Sequence, residues 1–227
     1  MGKWIDLSQN FYEGMPPARL VPEMAFEMKT MREVDEEKGR PNNQRFTFES
    51  HQGTHIDSPK HMIRNGPSVA DFPLDHFSGR GVVIPAHKDS PGGIDAAHLK
   101  ETGSRVRSGD IVFINTDWDK KFDTIEYLDC PYLMPDAADW LIEKGAKMVG
   151  MDTITVDRLL KKEERSRAAP LDETRPVHRR LLAKGILIIE NLCNLSPLIG
   201  KSFTVFAFPL KVPGADGSPA RVVALVE

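Results

Sequence analysis

The chain is poor in cysteine, with two residues among 227. Cys130 and Cys193 are far apart and form no metal-spaced pair, which excludes a thiolate zinc knuckle and a disulfide scaffold. A reduced, cytoplasmic setting is the simplest account, with Cys193 as a small buried apolar filler. No apolar run approaches the ~18 residues of a membrane helix. The opening Met1-Gly-Lys-Trp-Ile-Asp-Leu-Ser8 has no signal-peptide core, and Asp6 stands where a myristoylation signal needs Ser or Thr. Positive charge is not in excess: net charge is −3, so nothing electrostatic argues for nucleic acid. No Gly-x-Ser-x-Gly elbow is present, which weighs against a serine hydrolase. Solenoid repeats and low-complexity tracts are also missing. Hydrophobic residues at 40% and charged residues at 28% are ordinary for a globular protein. The length suits one large domain, and no linker divides residues 1–227.

Against this background, residues 51–61 stand out. They read His-Gln-Gly-Thr-His-Ile-Asp-Ser-Pro-Lys-His and hold three of the seven histidines. Gly53, Ser58 and Pro59 are poor helix-interior residues, so a helix is rejected. A straight strand fails as well. From His51 to Asp57 it would run roughly 20 Å at about 3.3 Å per residue, whereas ligands of one ion bonded at about 2.0–2.2 Å must converge. The chain therefore bends, and Gly53 is the residue free to bend it. His55 and Asp57 can chelate from one short extended piece, and His51 returns across the bend. Pro59 stiffens the exit and re-aims His61, whose role the geometry leaves open. Nitrogen and oxygen donors without thiolate suit Zn, Mn or Fe(II).

The rest of the chain alternates strands and helices. Strands are expected at 81–85, 111–115, 147–151, 186–189, 203–208 and 221–226. Helices are expected at 94–101, capped by Asp95, at 135–144 and at 176–184. Gly145 and Gly185 stop the last two. The alternation predicts an α/β fold, a single domain with a mixed β-sheet flanked by helices. Residues 13–45, interrupted by prolines, read as a long irregular connection, a lid or a mobile segment, with 33–40 a solvated loop or short helix.

The unit 176–190 adds to the site. Six helical residues cover about 9 Å and five strand residues about 16 Å, so the strand end returns level with the helix start. His178 and Glu190 are brought toward one point. A carboxylate ending the apolar Ile186-Leu-Ile-Ile189 is costly unless paired or metal-bound. An exposed helix-start histidine is the other reading of His178 on local grounds.

The motif His-x-Gly-Thr-His-x-Asp-x-Pro-x-His at 51–61 resembles the signature of the cyclase family of metal-dependent hydrolases, which includes bacterial arylformamidases (kynurenine formamidases) and isatin hydrolases. Trp4–Ser8, Ser108–Trp118, Gly150–Asp157 and His178–Leu192 resemble further family segments. The resemblance implies a swivelling β/β/α-like architecture. It also implies a first divalent ion on His51, His55 and Asp57, a second on Asp57, His178 and Glu190, and His61 as proton donor and acceptor. One or two ions per chain, Zn or Mn, are expected. The chain departs from arylformamidases at Met15-Pro-Pro-Ala-Arg19, which lacks their aromatic residue, and at Thr116-Asp117-Trp118, where Thr-Gly-Trp is common. Both differences weaken an assignment to N-formylkynurenine and leave the metal residues untouched.

A divalent metal lowers the pKa of bound water from ~15.7 toward ~7 and supplies hydroxide for attack on a carbonyl. The expected function is hydrolysis of a formamide or lactam of a small, aromatic substrate, with His61 as general acid and base. Phe11, Tyr12, Phe72 and Trp118 are candidate pocket walls. A lactone hydrolase or a metal-dependent cyclase or lyase is the alternative among enzymes. A metal-binding structural protein is the alternative outside them. The expected partners are a small-molecule substrate and further copies of the chain in a homodimer or homotetramer, with no nucleic acid and no membrane.

Overall fold

A computed structural model describes residues 2–16, 25–87, 92–160, 164 and 169–227. In chain order the strands are β1 (Lys3–Asp6), β2 (Glu27–Arg32), β3 (Asn43–Thr47), β4 (His55–Asp57), β5 (Ser78–Pro85), β6 (Gly93–Ile94), β7 (Ile111–Asn115), β8 (Tyr132–Leu133), β9 (Met148–Met151), β10 (Leu187–Glu190), β11 (Phe203–Pro209) and β12 (Gly217–Val226). The helices that pack on them are α1 (Ala96–Thr102), α2 (Pro135–Glu143) and α3 (Pro176–Ala183).

Eight strands form one mixed sheet in the order β1-β12-β11-β5-β7-β9-β10-β4, and an additional β12–β4 pairing closes it on itself. Strands β5, β7, β9 and β10 run parallel. The others join antiparallel. The long β12 shares one edge between two neighbours: Gly217–Pro219 pairs with β4, and Val223–Val226 pairs with β1.

Closure gives the sheet an inner and an outer face, which explains the unbroken apolar runs of the parallel strands. Ile56, Val83, Ile111, Phe113, Met148, Leu187, Ile189, Val205 and Val222 fill the inside. Their neighbours Val82, Ile84, Val112, Ile114, Val149 and Ile188 point outward into a second core, shared with Leu99 of α1, Leu141 of α2 and Leu181 of α3. All three helices thus lie against the outer face. Truncating such fully buried aliphatics to Ala costs about 2–5 kcal/mol each.

The helix ends follow the expected chemistry. The Asp95 side chain accepts from the His98 amide at the start of α1, and Pro occupies the first turn of α2 and of α3. Gly145 and Gly185 adopt φ of +70° and +72° just beyond α2 and α3.

Residues 13–45 depart from expectation. Their strand β2 pairs with β3, which runs on to Thr47, as an exposed two-stranded ribbon, with a bridge between Asp35 and Arg40 near its tip in place of a loop or helix. The sequence Glu27-Met-Lys-Thr-Met-Arg32 alternates too weakly to announce a strand, because neither face of it is buried. Part of this segment, 17–24, lies outside the described residues. The two cysteines are buried free thiols, each pushed up to about 12 by burial.

Candidate metal centre

The centre is built where three strands meet. The short β4 lies between β10 and β12, with His55 opposite Glu190 on one side and Pro219 on the other. Ile56 points into the barrel, so His55 and Asp57 point outward, as alternation requires. Glu190 projects from β10 on the same outer face. The first turn of α3 lies over that face and contributes His178.

The bend expected at Gly53 is present, with φ of +59°, and a Cβ there would sit 2.5 Å from the Phe11 ring. Two hydrogen bonds tie down its carbonyl. His55 Nδ1 lies 2.8 Å from it, and Asn191 Nδ2 donates to it at 2.9 Å. Asn191 is itself held in the left-handed region, φ +57°, with Tyr127 Oη donating to its Oδ1 and Thr54 Oγ1 to its carbonyl. The turn carrying the motif is therefore locked to the end of β10.

The donor atoms sort into two groups across two carboxylates. His51 Nδ1 lies 2.6 Å and His55 Nε2 3.2 Å from Asp57 Oδ1. His178 Nε2 lies 3.3 Å from Asp57 Oδ2 and 3.2 Å from Glu190 Oε1. Glu190 Oε2 faces His55 Nε2 at 3.5 Å. Each carboxylate thus presents one oxygen to each side, the arrangement in which it can bridge two cations. His55 Nε2 and Asp57 Oδ2 are buried without a hydrogen bond. Leaving both unsatisfied is costly unless a cation is their partner, and an all-nitrogen-and-oxygen donor set fits a divalent metal.

Every histidine facing the centre has an acceptor behind it. His55 has the Gly53 carbonyl. His178 Nδ1 lies 2.6 Å from the buried Asp157. His51 Nε2 lies 3.0 Å from Asp216 Oδ2. Gly217 brings the backbone close under His51, where a Cβ would lie 2.6 Å from the ring. Such outer partners orient ligand rings and fix which nitrogen is free.

His61 sits at the mouth. The short 3₁₀ turn Pro59–His61 turns its ring onto His51, with centroids 3.9 Å apart, and toward His178, at 5.9 Å. Its Nδ1 lies 3.4 Å from Asp216 Oδ2, the oxygen that also faces His51. His51, Asp57 and His61 also offer donor atoms within 4.8 Å of one another, as do His55, Asp57 and Glu190.

Electrostatics follow from burial and the carboxylates. Burial pushes the His51 imidazolium down, but the charges of Asp57 and Asp216 outweigh it and raise the pKa to about 9. Burial likewise opposes a charge on His178, and its bonds to Asp157, Asp57 and Glu190 hold it well above the usual value. Burial alone would raise Asp57, yet the facing histidines hold it well below the carboxylate range. In the absence of a cation the carboxylates are balanced by protons on histidines. At His61 burial dominates and lowers the pKa, aided by the neighbouring His51 and His178.

A cavity of about 610 Å³, lined by Phe11, Tyr12, Phe26, Met28, Phe46 and Phe48 among others, opens beside Pro219. Of the expected pocket walls, Phe11 and Tyr12 are here. Trp118 is instead core, its indole donating to the Tyr127 carbonyl, and Phe72 lines a separate cavity of about 490 Å³ with Phe77 and Phe208.

All six residues singled out by the sequence, His51, His55, Asp57, His61, His178 and Glu190, are brought together. Sequence reasoning gave no role to Asp157, Asn191, Asp216 or Gly217. An Asp-Gly pair between two strands signals a hairpin turn, but nothing local shows that Asp216 reaches back to His51.

A family described as putative cyclase matches residues 5–158. A kynurenine formamidase of Geobacillus thermodenitrificans is 30% identical over 225 residues, spanning 97% of this chain and 96% of its own. Isatin hydrolase A from Ralstonia solanacearum superposes with a TM-score of 0.85 at 27% identity, over 100% of this chain and 92% of that one. A structure described as a potential metal-dependent hydrolase with cyclase activity gives a TM-score of 0.81 at 26% identity, over 100% and 99%. With the family matched across most of the chain and a relative at this identity along nearly its full length, the protein belongs to the cyclase family of metal-dependent hydrolases.

Proposed function

We propose that this centre hydrolyses a carbon–nitrogen bond, a formamide or lactam, in a small apolar or aromatic substrate. The observation that carries the reading is the pair of carboxylates, Asp57 and Glu190, each dividing its oxygens between two sets of histidine nitrogens. The names of the relatives, a formamidase and an isatin hydrolase, support the same bond class.

His51, His55 and Asp57 would hold one ion, and Asp57, His178 and Glu190 a second. Zn or Mn suits these donors. When bound, the metal supplies an activated water at neutral pH and positive charge for the carbonyl oxygen. The chain's own groups do the rest. Asp216 engages His61 Nδ1, which leaves Nε2 to take the proton of the attacking water. The lowered pKa keeps that nitrogen unprotonated at neutral pH. His61 then returns the proton to the leaving nitrogen as the C–N bond breaks, and the products are a carboxylic acid and an amine. The aromatic cavity beside Pro219 receives the apolar part of the substrate.

The test is a panel of aryl-formamides, isatin-like lactams and lactones, assayed with Zn and Mn. Net uptake of water on an amide supports the proposal, and reaction of lactones alone would replace it with ester chemistry. His61→Ala is expected to lower turnover by about 10²–10⁴-fold while metal content stays at the wild-type level. Full activity in that variant would remove His61 from the mechanism. A homo-oligomer in the cytoplasm is part of the same proposal, and light scattering of the purified protein checks the assembly. Among the described residues no helix is long and apolar enough to cross a membrane.

A further inference from the structure

The segment that follows β9 contains a buried carboxylate with no part in the reaction as proposed. Asp157 is 2% exposed. Its Oδ1 accepts the Val177 amide at 2.9 Å, and its Oδ2 accepts the His178 amide at 3.0 Å. The same Oδ2 lies 2.6 Å from His178 Nδ1. Pro176 opens α3 and has no amide proton to give, so Asp157 takes the next two donors of the helix together with the ring of the second.

These bonds determine which nitrogen of His178 faces the centre. An ionised carboxylate only accepts. The proton of the neutral ring must therefore lie on Nδ1, and the Nε2 lone pair is directed at Asp57 Oδ2 and Glu190 Oε1. The preceding residue acts on the other half of the same triad, since the Val156 amide donates to Glu190 Oε1 at 2.9 Å. One short stretch, Val156 and Asp157, thus holds two of the three groups assigned to the second ion.

We infer that Asp157 is a positioning residue for the second metal site, setting the ring orientation and proton placement of His178 so that Nε2 is the metal donor. The inference rests on the two-ion reading above and adds to it a residue outside the ligand set.

Asp157→Asn is the informative change. The amide keeps the size of the side chain and one oxygen for the helix amides. With one oxygen it cannot serve both helix amides and also give His178 Nδ1 a charged acceptor: the ring either faces the NH2 group, which moves its proton onto Nε2, or keeps only a neutral acceptor. Metal-free wild type and variant would be titrated with Zn2+ in a chelator-buffered series, reading stoichiometry and stepwise affinity. The expected result is two equivalents in the wild type, and in D157N a second equivalent weakened about ten- to hundred-fold with the first nearly unchanged. Two equivalents of wild-type affinity in D157N overturn the inference alone, even if its thermal stability falls, because that is what a purely structural carboxylate would give. One equivalent in the wild type overturns the two-ion reading and the inference with it. A second measurement needs no variant: long-range 1H–15N spectra of the Zn-loaded wild type should show His178 protonated at Nδ1. A proton on Nε2 there overturns the inference whether or not D157N folds.

Discussion

Replacing Gly53 with Ala tests the bend that gathers the ligands. Two penalties can be worked from the structure. At φ of +59° an alanine sits in the left-handed region, at a cost of roughly 1–2 kcal/mol. The new Cβ would also stand 2.5 and 2.7 Å from two Phe11 ring atoms and 3.2 Å from Met15 Cε. The ring packs edge-on against Phe26 and Phe48 and has the aromatic cavity on its other side, so the overpacking costs about 1–3 kcal/mol, less if the ring shifts into the cavity. Together these give about 2–5 kcal/mol, or a melting temperature lower by roughly 4–20 °C for a chain of this size. Any relaxation moves the Gly53 carbonyl, which fixes His55 and Asn191, so Zn2+ affinity should fall as well. The assay is thermal unfolding with and without Zn2+, run as a double-mutant cycle with Phe11→Ala. Removing the ring should relieve the steric part and leave the φ part, giving a coupling of about 1–3 kcal/mol between the two sites. A Gly53→Ala protein within about 0.5 kcal/mol of wild type, or strict additivity with Phe11→Ala, would refute the reasoning.

Two further outcomes follow from the electrostatics. Without a cation His51 titrates near 9 and His178 well above its usual value, both held up by their carboxylates, and a metal can bind only their neutral nitrogens. Metal uptake at pH 7 should therefore release protons, and affinity should rise with pH toward about 9, where His51 has lost its proton. Calorimetry in buffers of different ionisation enthalpy checks this, and uptake without proton release would contradict it. Asp216→Asn removes the negative charge from the shared acceptor behind His51 and His61. It should lower metal affinity or turnover about ten- to hundred-fold, and steady-state kinetics at saturating Zn2+ separates the two effects.

Much of the site was legible because its parts announce themselves locally. A histidine–glycine–aspartate packet cannot chelate without a bend, and only Gly53 could supply one. A carboxylate ending an apolar strand needs a partner, and the tight turn at Gly185 brought His178 within reach, but only the family resemblance chose it over an exposed helix-start histidine. The parallel strands were legible because both faces of a closed sheet are buried, so they read as unbroken apolar runs. Strand β2 was not legible, since neither of its faces is buried, whereas the alternation of Phe46 and Phe48 over 45–50 announced a strand that overlaps β3 and runs into the motif. Asp216 was hidden for a different reason. It reaches His51 only because β12 pairs with β4, and that pairing spans more than half the chain. The expected helices were placed correctly, but the sheet's closure, which confines them to the outer face, leaves no mark in any single segment.

That closure has a consequence in time as well as in space. Strand β4 ends at Asp57, whereas its two neighbours begin at Leu187 and Gly217. At the ~5–20 residues per second of synthesis, the histidine-rich segment waits on the order of 10 s for β10 and longer for β12. During that interval it has a bend and three imidazoles but neither Glu190 nor Asp216. The order of emergence therefore makes the metal centre one of the last features of the molecule to mature. A divalent ion captured early would meet a loose chelate on a growing chain. One captured after β12 has zipped into place would meet a finished and rigid site.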